Sequence, residues 1–314
     1  MTLPSAPQQA SAPVRLQLAP KRRRSDRTMR VVFALAAITT FAITALILYV
    51  LVADAWRFFW HVEKAKLWDI GWFPRRGKFD IKTLFVGTLV VTGIAMLIAI
   101  PLGLGSALYL AEFARPRVRK LLKPIIEILA GIPSVVLGYF AISFINPELV
   151  TKIVGGANKA FNLAAAGIAV GILTVPIVVS VAEDALRAVP QSLREASFGL
   201  GARRVTTTFR VVLPAGISGV TASLILGISR AIGETMVVAI AAGAVGGGLF
   251  SFDPFKPGQT MTAAMAALGF GSDQVAGSGL AFQSLFFIGF LLFVLTLMLN
   301  VLGDRLVRRV REEY

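Results

Sequence analysis

Between Leu213-Pro214 and the glycines near Gly246, an apolar run carries only two charges, Arg230 and Glu234. They stand four residues apart, so on a helix they share one face and can pair. Ionisable residues within a membrane span are costly unless they line a pathway or pack inside the protein, which makes this pair a functional-site candidate. The chemistry it offers is that of a charged transport path. A guanidinium presents a planar fork of donors suited to oxyanion oxygens and stays charged when desolvated, whereas a buried lysine can lose its proton. Glu234, four residues away, would neutralise Arg230 at rest. A fixed Arg–Glu clamp joining helices is the structural alternative. Glu127 is a third candidate, either lining the path or pairing with Lys123 four residues earlier.

The elements that must position these residues are membrane helices. Hydrophobic residues make up 56% of the 314, mean hydropathy is +0.74, and uncharged runs recur at the length of about 20 residues that crosses a bilayer. The runs are Val31–Ala53, Thr83–Ala111, Ile128–Pro147, Ala160–Ala182, Val211–Phe252 (interrupted by the charged pair) and Gln274–Gly303. They are continuous rather than alternating, so the expected fold is an all-α integral membrane protein of six transmembrane helices, not a barrel. Pro101-x-Gly103-x-Gly105 and Gly131-Ile132-Pro133-Ser134 predict a kink or break in the second and third spans.

Charge sets the expected orientation. Of the 32 Lys and Arg, 21 flank one side and ten the other, so the positive-inside rule places both termini in the cytoplasm. The net charge of +15 flanks spans instead of forming one soluble basic face, which argues against nucleic acid and for anionic membrane lipid. Cysteine is absent, so neither a disulfide framework nor thiol chemistry is available.

Several segments lie outside the spans. Residues 1–30 read as a disordered basic cytoplasmic tail, and 31–53 as the first transmembrane helix. The external loop 54–82 holds all four tryptophans, either anchored at headgroup depth or presented to an external partner. Residues 83–305 form the core, and 306–314 a cytoplasmic C-terminal tail. In the Gly-rich external stretch Gly246–Gly279, the apolar Met261–Leu268 predicts a short helix lying on or dipping into the outer face.

The polar connection 190–214 between the fourth and fifth spans is bounded by prolines and divided by Gly199 and Gly201. Ser192-Leu193-Arg194-Glu195 fits a capping box, so a short helix is predicted from Ser192 and a second over Arg203–Val212. The result would be a cytoplasmic helix-turn-helix with Leu193, Ala196, Phe198 and Leu200 supplying an apolar surface.

In this connection Glu195, Ala196, Gly201, Leu213 and Pro214 resemble the signature of permease subunits in bacterial binding-protein-dependent ABC importers. Ser197 stands where that pattern usually has Ala, and Val211 where it has Ile. The resemblance implies that residues 190–214 dock on an ATP-binding subunit and transmit its closure to the spans. Arg230-Ala231-Ile232-Gly233-Glu234-Thr235-Met236 and Leu129-Ala130-Gly131-Ile132-Pro133-Ser134-Val135-Val136 narrow it to the PstC-type permeases of phosphate-specific importers. From roughly Thr83 to Arg305, the likeness implies an inner-membrane permease fold and phosphate as cargo. The implied substrate path contains Arg230, Glu234, Thr235 and Glu127. The implied partners are two copies of an ATP-binding subunit, a second homologous permease and an external phosphate-binding protein.

The chain contains no G-x-x-x-x-G-K-[ST] phosphate-binding loop, so ATP and Mg are expected on the partner and no cofactor on this chain. The alternatives are another oxyanion as cargo (molybdate, sulfate, phosphonate) or a self-contained ion-coupled carrier, which leaves the 190–214 pattern unexplained.

Overall fold

The computed structural model describes residues 20–154, 160–243, 248–270 and 279–310. The first nineteen residues of the expected tail, positions 244–247 and 271–278 of the Gly-rich stretch and the last four residues lie outside them. The chain divides into two compact units, Met1–Val50 and Leu51–Tyr314. The first is the opening part of helix α1 (Pro20–His61), with Phe33, Ile38 and Phe41 exposed as on a lipid-facing span. Residues 20–30, expected to be disordered, are helical. Lys21-Arg22-Arg23-Arg24 are straight-chain residues of good helix propensity and extend the span below its apolar part.

Within the second unit, α1 runs past residue 53 to His61, carrying Trp56 and Trp60 exposed and Phe58 fully buried. A hairpin of β1 (Trp72–Phe73) and β2 (Lys78–Phe79) follows, turning at Gly77 with φ of 68°. Asp80 then caps α2 (Ile81–Leu108), its carboxylate accepting from the Lys82 and Gly71 amides and the Thr83 hydroxyl. Of the kink or break expected at Pro101, no break occurs: α2 stays helical through it and ends in a π-helical stretch, Tyr109–Phe113.

Next comes α3 (Pro116–Ala130), which buries no residue. The Gly131–Pro133 break leads into α4 (Ser134–Phe140), a π-helical stretch Ala141–Val150 and α5 (Thr151–Val154). The third span is therefore Ser134–Ile153 rather than Ile128–Pro147, because the Gly-Ile-Pro break starts it instead of interrupting it.

Helix α6 (Leu163–Ala188) is the buried centre. It meets α2 where side chains are small: a Cβ on Gly167 would lie 2.8 Å from Ile94 Cβ, and one on Gly103 2.7 Å from Val178 Cγ1. Such close backbone approach is how helices associate in lipid. The 190–214 connection follows as α7 (Gln191–Gly199), α8 (Arg204–Thr207), a π-helical stretch Thr208–Val212 and α9 (Leu213–Ala215). The chain then bends by 72° into α10 (Ile217–Ile232). Last come α11 (Met236–Ala241), α12 (Met261–Phe270) and α13 (Leu280–Val310).

Five described helices are long and apolar enough to cross a membrane, and the bent pair Arg204–Ala215 with Ile217–Ile232 makes up to six. The fifth span differs most from expectation: Val211–Ala215 belongs to the connection, and α10 stops at Ile232 beside the charged pair. Helix α13 continues to Val310, into the segment read as the C-terminal tail.

Helix α10 packs on α6 at Gly219 and Gly227, and its Ser223, Gly227 and Ala231 are buried. A Cβ on Gly227 would sit 2.9 Å from Val178 Cγ2 and 3.3 Å from Thr174 Cγ2. Gly227→Val is therefore expected to destabilise the bundle by about 1–3 kcal/mol through overpacking. A lowered thermal midpoint of the detergent-solubilised protein would register it.

Candidate functional site

Arg230 occupies the last turn of α10, where the helix's unpaired carbonyls favour a cation. Its Nη2 lies 3.3 Å from Glu234 Oε2; the Arg230 side chain is 47% exposed and that of Glu234 only 3%. The two do not share one regular helix, as their spacing suggested. Gly233–Thr235 interrupts the span between α10 and α11, and the pair closes across that break. Thr235 is partly exposed and its hydroxyl donates to the Gly233 carbonyl at 3.2 Å.

The interrupted backbone is completed from elsewhere in the chain. The Thr262 hydroxyl donates to the Glu234 carbonyl at 2.7 Å and lies 3.0 Å from the Thr260 hydroxyl. The Met261 amide donates to Thr88 on α2. Met261–Phe270 thus dips into the bundle, the deeper of the two placements its sequence allowed. Irregular backbone is tolerated at membrane depth only where protein or a cavity satisfies it, and α12 supplies that satisfaction. Thr260 and Thr262 carried only a weak signal: two hydroxyls either side of the first residue of an apolar helix.

Glu127 is not part of this cluster. It is exposed on α3, in a groove of about 680 Å³ shared with Arg119, Lys120, Lys123, Arg187 and Arg194. Lys123 is not its partner either: the ammonium lies 2.9 Å from Glu183 Oε2 and 3.0 Å from Asp184 Oδ1. The hydrogen bond to Glu183 raises the lysine's pKa above its ordinary value. Being raised, it contributes fully below the normal lysine value and is lost only as pH climbs through the higher one, so the contact is intact at neutral pH.

Glu183 itself is fully buried and also receives Arg119 Nε at 2.7 Å, tying α3 to α6. Glu183→Ala would strand these cations. Because Arg119 and Lys123 keep about a quarter of their side-chain surface in solvent, the expected loss is about 2–3 kcal/mol, below the roughly 3–5 of a fully buried pair. Thermal unfolding at neutral pH measures it.

The 190–214 connection is a helix-turn-helix, with Gly201 at φ of 81° making the turn. The capping box does not form, since α7 starts one residue earlier with Pro190 at its N-cap and no side-chain cap. Glu195 and Ala196 are exposed. Ser197 faces inward, its hydroxyl 2.9 Å from that of Thr207 across the turn. Leu213 packs on the apolar cluster of Ala182, Leu186 and Val212 at the ends of the helices, and Pro214 is exposed at the exit. Phe198, Leu200, Val205 and Phe209 are all exposed, an apolar surface on a polar connection. Unmarked in the sequence was Arg194, which turns inward and bonds Glu112 on the stretch ending α2.

Two features now stand together: a bundle carrying an ion pair at a broken span, and a helix-turn-helix with an exposed apolar surface at the opposite end of that span. Residues 99–312 match the family described as binding-protein-dependent transport system inner membrane component. The chain belongs to that family. It is 29% identical to the phosphate transport system permease protein PstC of Pasteurella multocida over 296 residues, 88% of this chain and 90% of that protein. It is 32% identical to PstC 1 of Mycobacterium tuberculosis over 246 residues, 72% of each. PstA 1 of the same species matches at 34% over 200 residues.

Among solved structures, a bacterial alginate ABC transporter bound to its periplasmic protein aligns with a TM-score of 0.63. That alignment has 16% identity and covers 92% of this chain and 98% of that one. The MetNI methionine ABC transporter aligns with a TM-score of 0.53 at 22% identity, covering 74% and 94%. These two likenesses speak to the fold. The chain is a PstC-like, multi-pass permease subunit of the inner membrane.

Proposed function

We propose that this permease carries inorganic phosphate inward as one half of the membrane channel of an ATP-driven importer. Arg230 is the observation that carries the assignment: a half-exposed guanidinium held by one buried carboxylate, in a chain whose full-length relatives are phosphate permeases. The contact to Glu234 uses one end of the fork and leaves other N–H donors for an oxyanion. Exchange between Glu234 and phosphate then neutralises Arg230 at every stage, so the site binds weakly enough to release. Thr235 lies beside the path and steadies the break; Glu127, at the other end of the bundle, belongs to the inner exit.

Both termini and the 190–214 connection face the cytoplasm in this reading. There the exposed surface of Ala196, Phe198 and Leu200, with Glu195 on its rim, docks on one of two ATP-binding subunits. Gly201, Ser197, Leu213 and Pro214 hold the helix-turn-helix stiff, so that closure of the ATPase pair biases the inward–outward equilibrium. ATP and Mg act on those subunits; a second, similar permease completes the channel, and an external phosphate-binding protein delivers the cargo.

Gentle solubilisation of native membranes with this chain tagged, followed by mass spectrometry of what co-purifies, tests the assembly. An ATPase, a second permease and a phosphate-binding protein are the expected companions. A homogeneous preparation free of ATPase that still transports in vesicles would sink the importer reading.

A further inference from the structure

We propose that Arg194 is the joint through which the coupling helix α7 moves the spanning helices, gripping Glu112 at the end of α2 and the last carbonyls of α6. The inference rests on the importer reading and names the residue that carries its stroke. Glu195 and Ala196 face outward, toward the proposed ATPase; Arg194, next to them on the same helix, is buried and faces inward.

The guanidinium makes four bonds in three directions. Its Nε and Nη2 lie 3.2 and 2.8 Å from Glu112 Oε1. Nη2 also donates to the Leu186 carbonyl at 2.8 Å, and Nη1 to that of Val189 at 2.5 Å. Leu186 belongs to the final turn of α6 and Val189 is its C-cap, so the cation sits where the helix's unpaired carbonyls gather. Glu112 is almost fully buried and lies in the π-helical stretch that follows α2.

Other attachments of α7 are weaker in direction. The Ser197–Thr207 bond stays within the connection, and Leu193 adds an apolar contact to the cluster of Leu186 and Val212. Apolar contact resists separation but slides readily, whereas a planar fork bonded on three sides fixes orientation. From α2 and α6 the stroke has a packed route onward. Gly103 of α2 and Gly227 of α10 both close on Val178 of α6, and α10 carries Arg230 in its last turn. One buried fork thus links the docking helix to the helix that carries Arg230.

The test uses the complete transporter in liposomes, with phosphate taken up per ATP hydrolysed as the readout. Arg194→Lys keeps the charge but not the fork, and Glu112→Gln keeps the shape but not the charge. Each is expected to retain the ATPase subunit and to lower phosphate per ATP at least tenfold. The double variant should be no worse than the worse single, as for two residues acting as one unit. A ratio within twofold of wild type in either single variant overturns the proposal, as does a double variant whose losses multiply. Loss of ATPase capture in both singles also overturns it, because the pair would then be a folding element. Failure of the wild-type chain to capture any ATPase is a different result, and it removes the importer reading itself.

Discussion

Replacing Arg230 with Gln is expected to lower phosphate uptake by roughly ten- to a hundredfold while the transporter still assembles. The magnitude follows from charge-assisted hydrogen bonds of about 1.5–3 kcal/mol, at roughly 1.4 kcal/mol per factor of ten. Glutamine keeps a donor and most of the length, so what is removed is the charge and the fork. The substitution has a side effect that must be separated: Glu234, only 3% exposed, loses its counter-ion. The Arg230→Gln, Glu234→Gln double variant removes both charges and serves as the folding control. It should assemble like wild type and transport no better than Arg230→Gln. Glu234→Gln alone is expected to lower uptake for the opposite reason, since an uncompensated Arg230 holds its anion longer. Labelled-phosphate uptake by proteoliposomes across a range of phosphate concentrations separates the two, through apparent affinity. Undiminished uptake in Arg230→Gln would leave the pair as a clamp between helices and remove it from the path.

What the sequence revealed, and what it hid, divides by range. Spans announce themselves because a bilayer needs long apolar runs, and the 190–214 turn because Pro190, Gly199 and Gly201 punctuate it. The break at Gly233–Thr235 was hidden inside one apolar run, since lone glycines are common in spans and the partner that makes the break tolerable, Thr262, lies 28 residues on. Pro101 predicts a kink or a break, and α2 stays helical through it because the proline interrupts only one rung of a long helix. The pairing of Arg194 with Glu112 across 82 residues, and of Arg119 with Glu183 across 64, follows from how α2, α3 and α6 converge, which no local pattern encodes. Arg194 stood beside the residues that were singled out, and its direction, inward rather than outward, distinguishes it. Glu127 is ambiguous in the sequence, between lining the path and pairing with Lys123; α3 holds it exposed in a basic groove, and Lys123 bonds Glu183 and Asp184 instead.

That inward–outward division of α7 underlies the second large effect. Phe198 and Leu200 are 44% and 90% exposed, so this chain gains almost nothing by burying Leu200 and little from Phe198. Two such side chains held on a rigid turn in a polar connection are explained by a partner that covers them. Burying a large apolar side chain contributes about 1.5–3 kcal/mol, so the two together account for several powers of ten in affinity. Changing both to Asp forfeits that burial and carries two charges into a desolvated contact. The Phe198→Asp, Leu200→Asp variant is expected to reach the membrane with an unchanged thermal midpoint, yet to bring down no detectable ATPase subunit. Phosphate transport should vanish with the lost capture. Arg194→Lys provides the contrast, because it is expected to keep the ATPase and lose the work done per turnover. Undiminished ATPase capture by the double Asp variant would move the docking surface off this turn, and the exposed Glu195 and Ala196 would no longer mark its edge.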